Sequence, residues 1–407
     1  MRVRTIVRRA MGQFRLTAAL LVLSASALAG CASASGAAGP KPHAGGSEPH
    51  AAGSEPHVTK PNMLVGITHT EYTADDWWNP AAVARARKLL ARLDLQNQFI
   101  MGFGMGNPEP SPGVFQWADL DERVGLMEKS GRPIVLTLCG APDWMKGGKP
   151  GETDWAHLGV APLPQHYADF AKLAAAIARH FPEVHYFQVW SEMRGFYNEA
   201  LHRWDYEGYT AMYNDVYKAL KEVNPQIQVG GPEVSVDSWI SPKAGGHPSD
   251  LHGPWGTIDQ RDLDVISYWL QHKVGADFIT VDGNLASHDG VENVGNPALA
   301  AEKLVTMDHW LRKQTTLPIW WGEVHVDSVS DYPNAQAIAT ATTTLLTAIA
   351  DSGARVAFLW CTERCGGGFD GIGLWTPTFR ATGGFPTPVY TAVMADITKF
   401  RAKYSTP

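Results

Sequence analysis

From Pro61 onward, short apolar runs alternate with longer segments whose apolar residues return every three or four positions. The short runs are Met63–Thr68, Gln98–Gly102, Ile134–Cys139, Tyr186–Ser191, Ile227–Gly230, Phe278–Val281, Ile319–Gly322 and Val356–Trp360. Most are rich in Val, Ile or Phe, as parallel strands buried on both faces are. Between them the period is helical. Pro80–Leu93 opens with Asn79 as a cap and Pro80 at the first helical position. Tyr167–Phe181 sets Phe170, Leu173, Ala174, Ile177 and Phe181 on one face. Tyr209–Val223 does the same with Met212, Tyr213, Val216, Leu220 and Val223. Pro297–Lys313, Ala335–Asp351 and Tyr390–Lys403 complete the series. Gly131-Arg132-Pro133 and Asn224-Pro225 mark turns from helix into strand.

Eight strands alternating with helices predict an α/β fold, a (β/α)8 barrel built as one domain over residues 61–407. A doubly wound open sheet is the alternative. It usually carries a glycine-rich phosphate loop after its first strand, where this chain reads Thr68-His69-Thr70-Glu71-Tyr72.

The first 60 residues have a different character. Five arginines, at 2, 4, 8, 9 and 15, precede a short apolar run from Leu16 to Leu28, and Leu28-Ala29-Gly30-Cys31 follows. This resembles a bacterial lipoprotein signal, which implies cleavage before Cys31 and lipidation of its thiol. An ordinary secretory signal cut nearby is the competing reading. Residues 31–60 read as a disordered tether of Ala, Gly, Ser, Pro and His, in which Gly-Ser-Glu-Pro-His occurs twice. The expected location is therefore the cell envelope, with the membrane reached through the lipid alone.

With the arginine-rich leader set aside, 29 bases face 41 acids, a balance of -12 that repels a phosphate backbone and argues against nucleic acid as a partner. No Cys/His cluster stands at ligand spacing, so neither a metal nor another cofactor is expected. Cys361 and Cys365, four apart in a glycine-rich stretch, allow a disulfide in an exported protein, and Cys139 reads as a small buried hydrophobe.

In a barrel, chemistry gathers beyond the C-terminal ends of the strands. The residues there are His69 and Glu71, Asn107 and Glu109, Asp143 and Trp144, Glu192, Arg194 and Asn198, and Glu233. Asp282 and His288, Glu323 and His325, and Trp360, Glu363 and Arg364 complete them. Glu192 and Glu323 stand out because each ends a tryptophan-bearing apolar strand, the fourth and the seventh. Those strands face each other across an eight-stranded barrel, and two carboxylates with a sugar ring between them are the machinery of glycoside hydrolysis. The bland alternative for Glu192 is an ion pair with Arg194. His69 and Glu71 read as sugar-binding or hydrogen-bonded groups rather than metal ligands. Trp320 and Trp321 point to opposite faces, so at most one enters the barrel.

Several segments carry a resemblance to clan A glycoside hydrolases, nearest to family 39, which includes β-xylosidases. Val-Trp-Ser-Glu at 189–192 resembles the strand-4 motif ending in the acid/base, and Trp-Trp-Gly-Glu at 320–323 the strand-7 motif ending in the nucleophile. The segment 111–121, Ala141-Pro142-Asp143-Trp144-Met145, Val229-Gly230-Gly231-Pro232 and Leu359-Trp360 resemble further stations. The resemblance implies a retaining hydrolase of a carbohydrate, with Glu192 as acid/base and Glu323 as nucleophile. Trp144, Ser191, Asn198, Asp282, His325 and Trp360 are the substrate-binding candidates. Three positions depart from the pattern. Ser191 replaces the usual Asn, the usual Arg near the end of strand 2 is absent, and strand 6 ends in Asp282 where His or Tyr is common. A glycan-binding protein on a hydrolase scaffold and a transglycosylase are the alternative functions.

Overall fold

The structure is a computed structural model. It describes residues 62–402 apart from 72, 76–77, 242–245, 284–286, 290–295, 325, 327–332, 361–362 and 364–371. The strands are β1 (Leu64–Thr68), β2 (Gln96–Phe99), β3 (Ile134–Leu138), β4 (Tyr186–Val189), β5 (Tyr197–Asn198), β6 (Arg203–Trp204), β7 (Gln228–Ser235), β8 (Ser238–Trp239), β9 (Pro248–Gly253), β10 (Gly256–Asp259), β11 (Phe278–Gly283), β12 (Ile319–Val324) and β13 (Val356–Leu359). The helices are α1 (Pro80–Leu90), α2 (Ala118–Glu128), α3 (Tyr167–His180), α4 (Tyr206–Val223), α5 (Gln260–His272), α6 (Pro297–Gln314), α7 (Ala335–Ser352) and α8 (Pro388–Ala402).

Eight strands close a parallel barrel in the order β1-β13-β12-β11-β7-β4-β3-β2. The (β/α)8 expectation holds, and all eight expected strands are present. Two additions sit on loops after barrel strands. β5 and β6 form a hairpin beyond β4, and β8-β10-β9 form a small antiparallel sheet between β7 and α5.

Side-chain alternation sorts each strand into an inner and an outer face. Leu64, Leu95, Val135, Tyr186, Phe278, Trp320, Val356 and Phe358 pack together inside the barrel as its apolar floor. Phe278 stacks on Trp320 at 3.8 Å between ring centroids. β7 contributes Gly230 to this layer, because a Cβ there would lie 2.2 Å from the Phe278 ring. Above the floor the lining turns polar: Asn97 donates to Thr68 Oγ1 at 3.1 Å, and Thr137 Oγ1 donates to Asn97 at 2.9 Å. The outer faces pack under the helices, where α3 buries Phe170, Leu173, Ala174 and Ile177. Asn79 caps α1 by accepting from Ala81 N and Ala82 N, as its sequence position predicts.

Candidate active site

Strict alternation alone would misplace two acidic side chains, and two bulges correct it. In β12, Trp320 enters the barrel while Trp321 turns outward, its Nε1 donating to Asp308 of α6 at 3.1 Å. Gly322 then points inward, and Glu323 would point out. The β11–β12 register skips at that point, so that Val281 pairs with Trp321 but Asp282 with Glu323. Such a bulge re-aims the next side chain, and Glu323 reaches the mouth. β7 repeats the device. Thr280 pairs with Pro232 but Val281 with Val234, which leaves Glu233 as the extra residue, at φ +50.

β4 ends differently. Trp190, Glu192 and Met193 all take positive φ, at 72, 50 and 54 degrees. Left-handed non-glycine residues are costly and persist only where packing holds them. Here Trp190 is fully buried against Phe170 and Phe196, and its Nε1 donates to the Arg194 carbonyl at 2.8 Å. This turn lifts Glu192 over the rim.

The result is a carboxylate cluster. Oxygen atoms of Glu192, Asp282 and Glu323 all lie within 4.8 Å of one another. Arg194 donates from Nε to Glu192 Oε2 at 2.5 Å and reaches the same oxygen with Nη2. Burial works against the Arg194 charge, but Glu192 and Glu323 more than offset it and hold the guanidinium protonated. An acidic trio at this spacing has the reach of a cation site, but the charge on Glu192 is already balanced by a guanidinium.

Behind the trio lies Glu233, 1% exposed. Burial pushes its carboxyl well above the usual carboxylate range, and the charges of Glu323 and Glu192 push it further. Ser191 and Gln188 pull weakly the other way. The sequence places Glu233 beyond the fifth strand but gives it no role. The available signal was a carboxylate directly after Gly230-Gly231-Pro232, at a strand end otherwise small and apolar.

The other expected residues spread more widely. Asp282 joins the glutamates. Ser191, 1% exposed, lies beneath them against Glu233, not on the open surface. Asn198 sits in the β5–β6 hairpin, where its Oδ1 accepts from Ala200 N and Leu201 N at 3.1 Å each. Trp144 is buried and donates its indole N–H to the Glu109 carbonyl at 2.9 Å, which leaves only its ring to offer. Trp360 is half-buried, edge-on to Phe103 at 5.1 Å. His325, the Cys361–Cys365 pair and Cys31 lie outside the described residues.

Two rim candidates are structural. His69 is bonded on both ring nitrogens, to Gln96 at 2.8 Å and Arg123 at 2.7 Å, and burial with the Arg123 charge keeps it neutral. Glu363 accepts from Ala74 N, Trp375 Nε1 and Thr378 N, tying three segments together. Cys139 is buried as expected, and burial pushes its thiol up to about 12.

The chain resembles solved glycosidase barrels along most of its length. A β-xylosidase from Caulobacter crescentus CB15 superposes with a TM-score of 0.57 at 15% identity, covering 82% of this chain and 67% of that one. An endo-1,4-β-D-mannanase from Thermotoga petrophila RKU-1 gives 0.55 at 13% identity, covering 83% and 99%. At such identities the likeness speaks for the fold alone. In sequence, the chain is 25% identical over 136 residues to a β-xylosidase of Caldicellulosiruptor saccharolyticus, covering 31% of this chain and 27% of that protein's length. The family model for glycosyl hydrolases family 39 matches residues 114–361, a span that takes in β3 to β13 with Glu192, Glu233, Asp282 and Glu323. That match, extending over more than half of a chain folded as the barrel its pattern predicts, decides the kinship: this chain belongs to glycosyl hydrolases family 39.

Proposed function

We propose that the protein hydrolyses glycosidic bonds with retention, through a covalent glycosyl-enzyme. The observation that carries this reading is the approach of Glu192 and Glu323 oxygens to within 4.8 Å across the barrel mouth. Retaining enzymes hold their two carboxyl groups about 5–5.5 Å apart, and inverting ones leave about 6.5–9.5 Å for a water. In the first step a Glu323 oxygen attacks the anomeric carbon and the glycosidic bond breaks. The leaving oxygen takes its proton from Glu192. In the second step Glu192 takes a proton from water, whose oxygen displaces Glu323 and restores the carboxylate. Asp282 lies close enough to both to accept a hydrogen bond from a sugar hydroxyl, and Trp144 and Trp360 offer ring faces. No step calls on a cofactor.

The substrate is a polysaccharide or oligosaccharide of envelope, extracellular or plant origin. Names borne by the relatives, β-xylosidase and endo-1,4-β-mannanase, set the first panel: aryl β-xylosides, aryl β-mannosides and β-1,4-mannan. The deciding experiment is incubation with a 2-deoxy-2-fluoro glycosyl fluoride followed by peptide mass analysis. The expected result is one sugar adduct on Glu323, absent in Glu323→Gln. Binding of glycans without adduct or turnover would favour a lectin-like barrel, and products longer than the substrate would favour a transglycosylase.

We also propose that the chain is exported and anchored through lipid on Cys31, which rests on the leader pattern. Radiolabelled palmitate should label the wild type and not Cys31→Ser. Labelling of neither would leave an ordinary secretory signal.

A further inference from the structure

Glu233 has surroundings that a merely structural carboxylate would not keep. It is 1% exposed, it is the bulged residue of β7, and its backbone stands at φ +50. Its Oε2 has no hydrogen-bond partner, and among the described residues no ion pair joins it to a cation. The polar atoms that face it, Ser191 Oγ and the Gln188 amide, likewise complete no well-formed hydrogen bond elsewhere. Opposite it lies Gly322, where a Cβ would stand 2.4 Å from Glu233 Oε1 and 2.8 Å from Gln188 Oε1. The missing side chain at Gly322 is thus the space the Glu233 carboxyl fills.

The charged and titratable groups facing Glu233 are Glu323 from β12, Glu192 beyond β4, Tyr209 from α4 and Cys139 beyond β3. None is a cation. An ionised carboxylate without one is not tolerated in such a place, so the group is neutral. A neutral acid is a hydrogen-bond donor, and the charges that bear on this one are those of Glu323 and Glu192.

We propose that Glu233 is a positioning residue of the hydrolytic site. It is a neutral acid wedged between the strand ends that carry Glu192 and Glu323, holding their spacing without adding another negative charge. The inference rests on the hydrolytic reading above, because it acts through those two residues.

The test compares Glu233→Gln with Glu233→Ala in the full chain, over pH 4 to 9, with an aryl glycoside the wild type turns over. Gln keeps the shape and the neutral donor; Ala removes both. We expect E233A to lose about 100-fold or more in kcat with KM changed by less than about 3-fold, and E233Q to recover at least about a tenth of wild-type kcat. Thermal unfolding supplies a readout independent of turnover. A buried acid with a raised pKa stabilises the fold below its unfolded value, about 4.5 for this group, and loses that contribution as pH rises through the folded value. E233Q should therefore flatten the fall of the melting temperature with rising pH, whether or not E233A folds.

An E233A enzyme with wild-type kcat and pH profile would overturn the inference, leaving hydrolysis intact. So would an E233Q enzyme as impaired as E233A, since Glu233 would then be acting as a carboxylate. A wild type that turns over no glycoside would sink the hydrolytic reading, and this one with it.

Discussion

Arg194 grips one oxygen of Glu192, two residues away, with both its Nε and its Nη2. The chain makes so tight a contact possible by running through left-handed backbone at Glu192, Met193 and Gly195. The pair is half-buried, with side chains 34% and 24% exposed, and so less screened than a surface ion pair. Both contacts fall on the single oxygen Oε2 of Glu192.

Arg194→Ala should free the Glu192 side chain to leave its working position. We expect kcat/KM to fall about 10- to 100-fold, more steeply for substrates whose leaving group must be protonated. Aryl glycosides of graded leaving-group acidity would measure this; an equal loss on all of them would make Arg194 a contributor to binding alone.

The two glutamates should fail differently. Glu192→Ala should hydrolyse activated aryl glycosides slowly and be rescued by azide, giving a glycosyl azide of retained configuration, whereas Glu323→Ala with azide should give the inverted product. Losses of about 10^3-fold or more are expected for Glu323→Ala. Product configuration by NMR decides between them, and exchange of the two outcomes would exchange the roles.

Gly322→Ala should drive a methyl group onto the Glu233 and Gln188 oxygens, which lie 2.4 and 2.8 Å from its Cβ position. Overpacking at a buried site costs about 1–3 kcal/mol. Chemical denaturation should show that loss, and turnover should fall with it because Glu323 is the next residue. Unchanged stability would mean that the carboxyl moves aside freely.

Asp308 sets a pH dependence remote from the mouth. Burial pushes its carboxyl up to about 7, against hydrogen bonds from Ser352 and Trp321 that favour the ionised form. Its folded value lies above its unfolded one, so its contribution is full below about pH 4 and is lost as pH rises through about 7. The integrated loss is on the order of 4 kcal/mol. Asp308→Asn, which keeps an acceptor for Trp321, should remove this fall; unfolding curves at pH 4 and pH 8 test it. Parallel curves for both proteins would show that Asp308 ionises in the fold at its ordinary pH.

Much of the fold was legible because a buried parallel strand needs apolar residues on both faces, so the eight runs stand out. The helix Ala118–Glu128 was missed within a motif-bearing segment, although Leu120, Val124 and Met127 keep a helical spacing. In the insertion from Ser238 to Gly275 the helix Gln260–His272 was missed as well, although it buries Leu263, Val265, Ile266 and Trp269, and the strands before it stayed unread because β9 is mostly polar and pairs only within the small β8-β10-β9 sheet. The positions of Glu323, near the end of β12, and of Glu192, just beyond β4, were readable from the apolar runs that precede them. Asn198 was placed at the right strand end, but its side chain is taken up by a local turn that no apolar pattern announces.

The sequence by itself determined the eight-stranded barrel and set the two glutamates at strand ends, since hydrophobic periodicity and strand-end position depend on the chain's local order. Only the tertiary structure decided which acids meet. Bulges at Gly322 and Glu233 shift the facing of single residues, and registry between neighbouring strands is a property of the pair. It took that registry to set Asp282 beside the glutamates and an uncompensated Glu233 behind them, because these contacts join residues whose order along the chain carries no record of their separation in space; the Arg194–Glu192 ion pair, two residues apart, was by contrast open to the sequence.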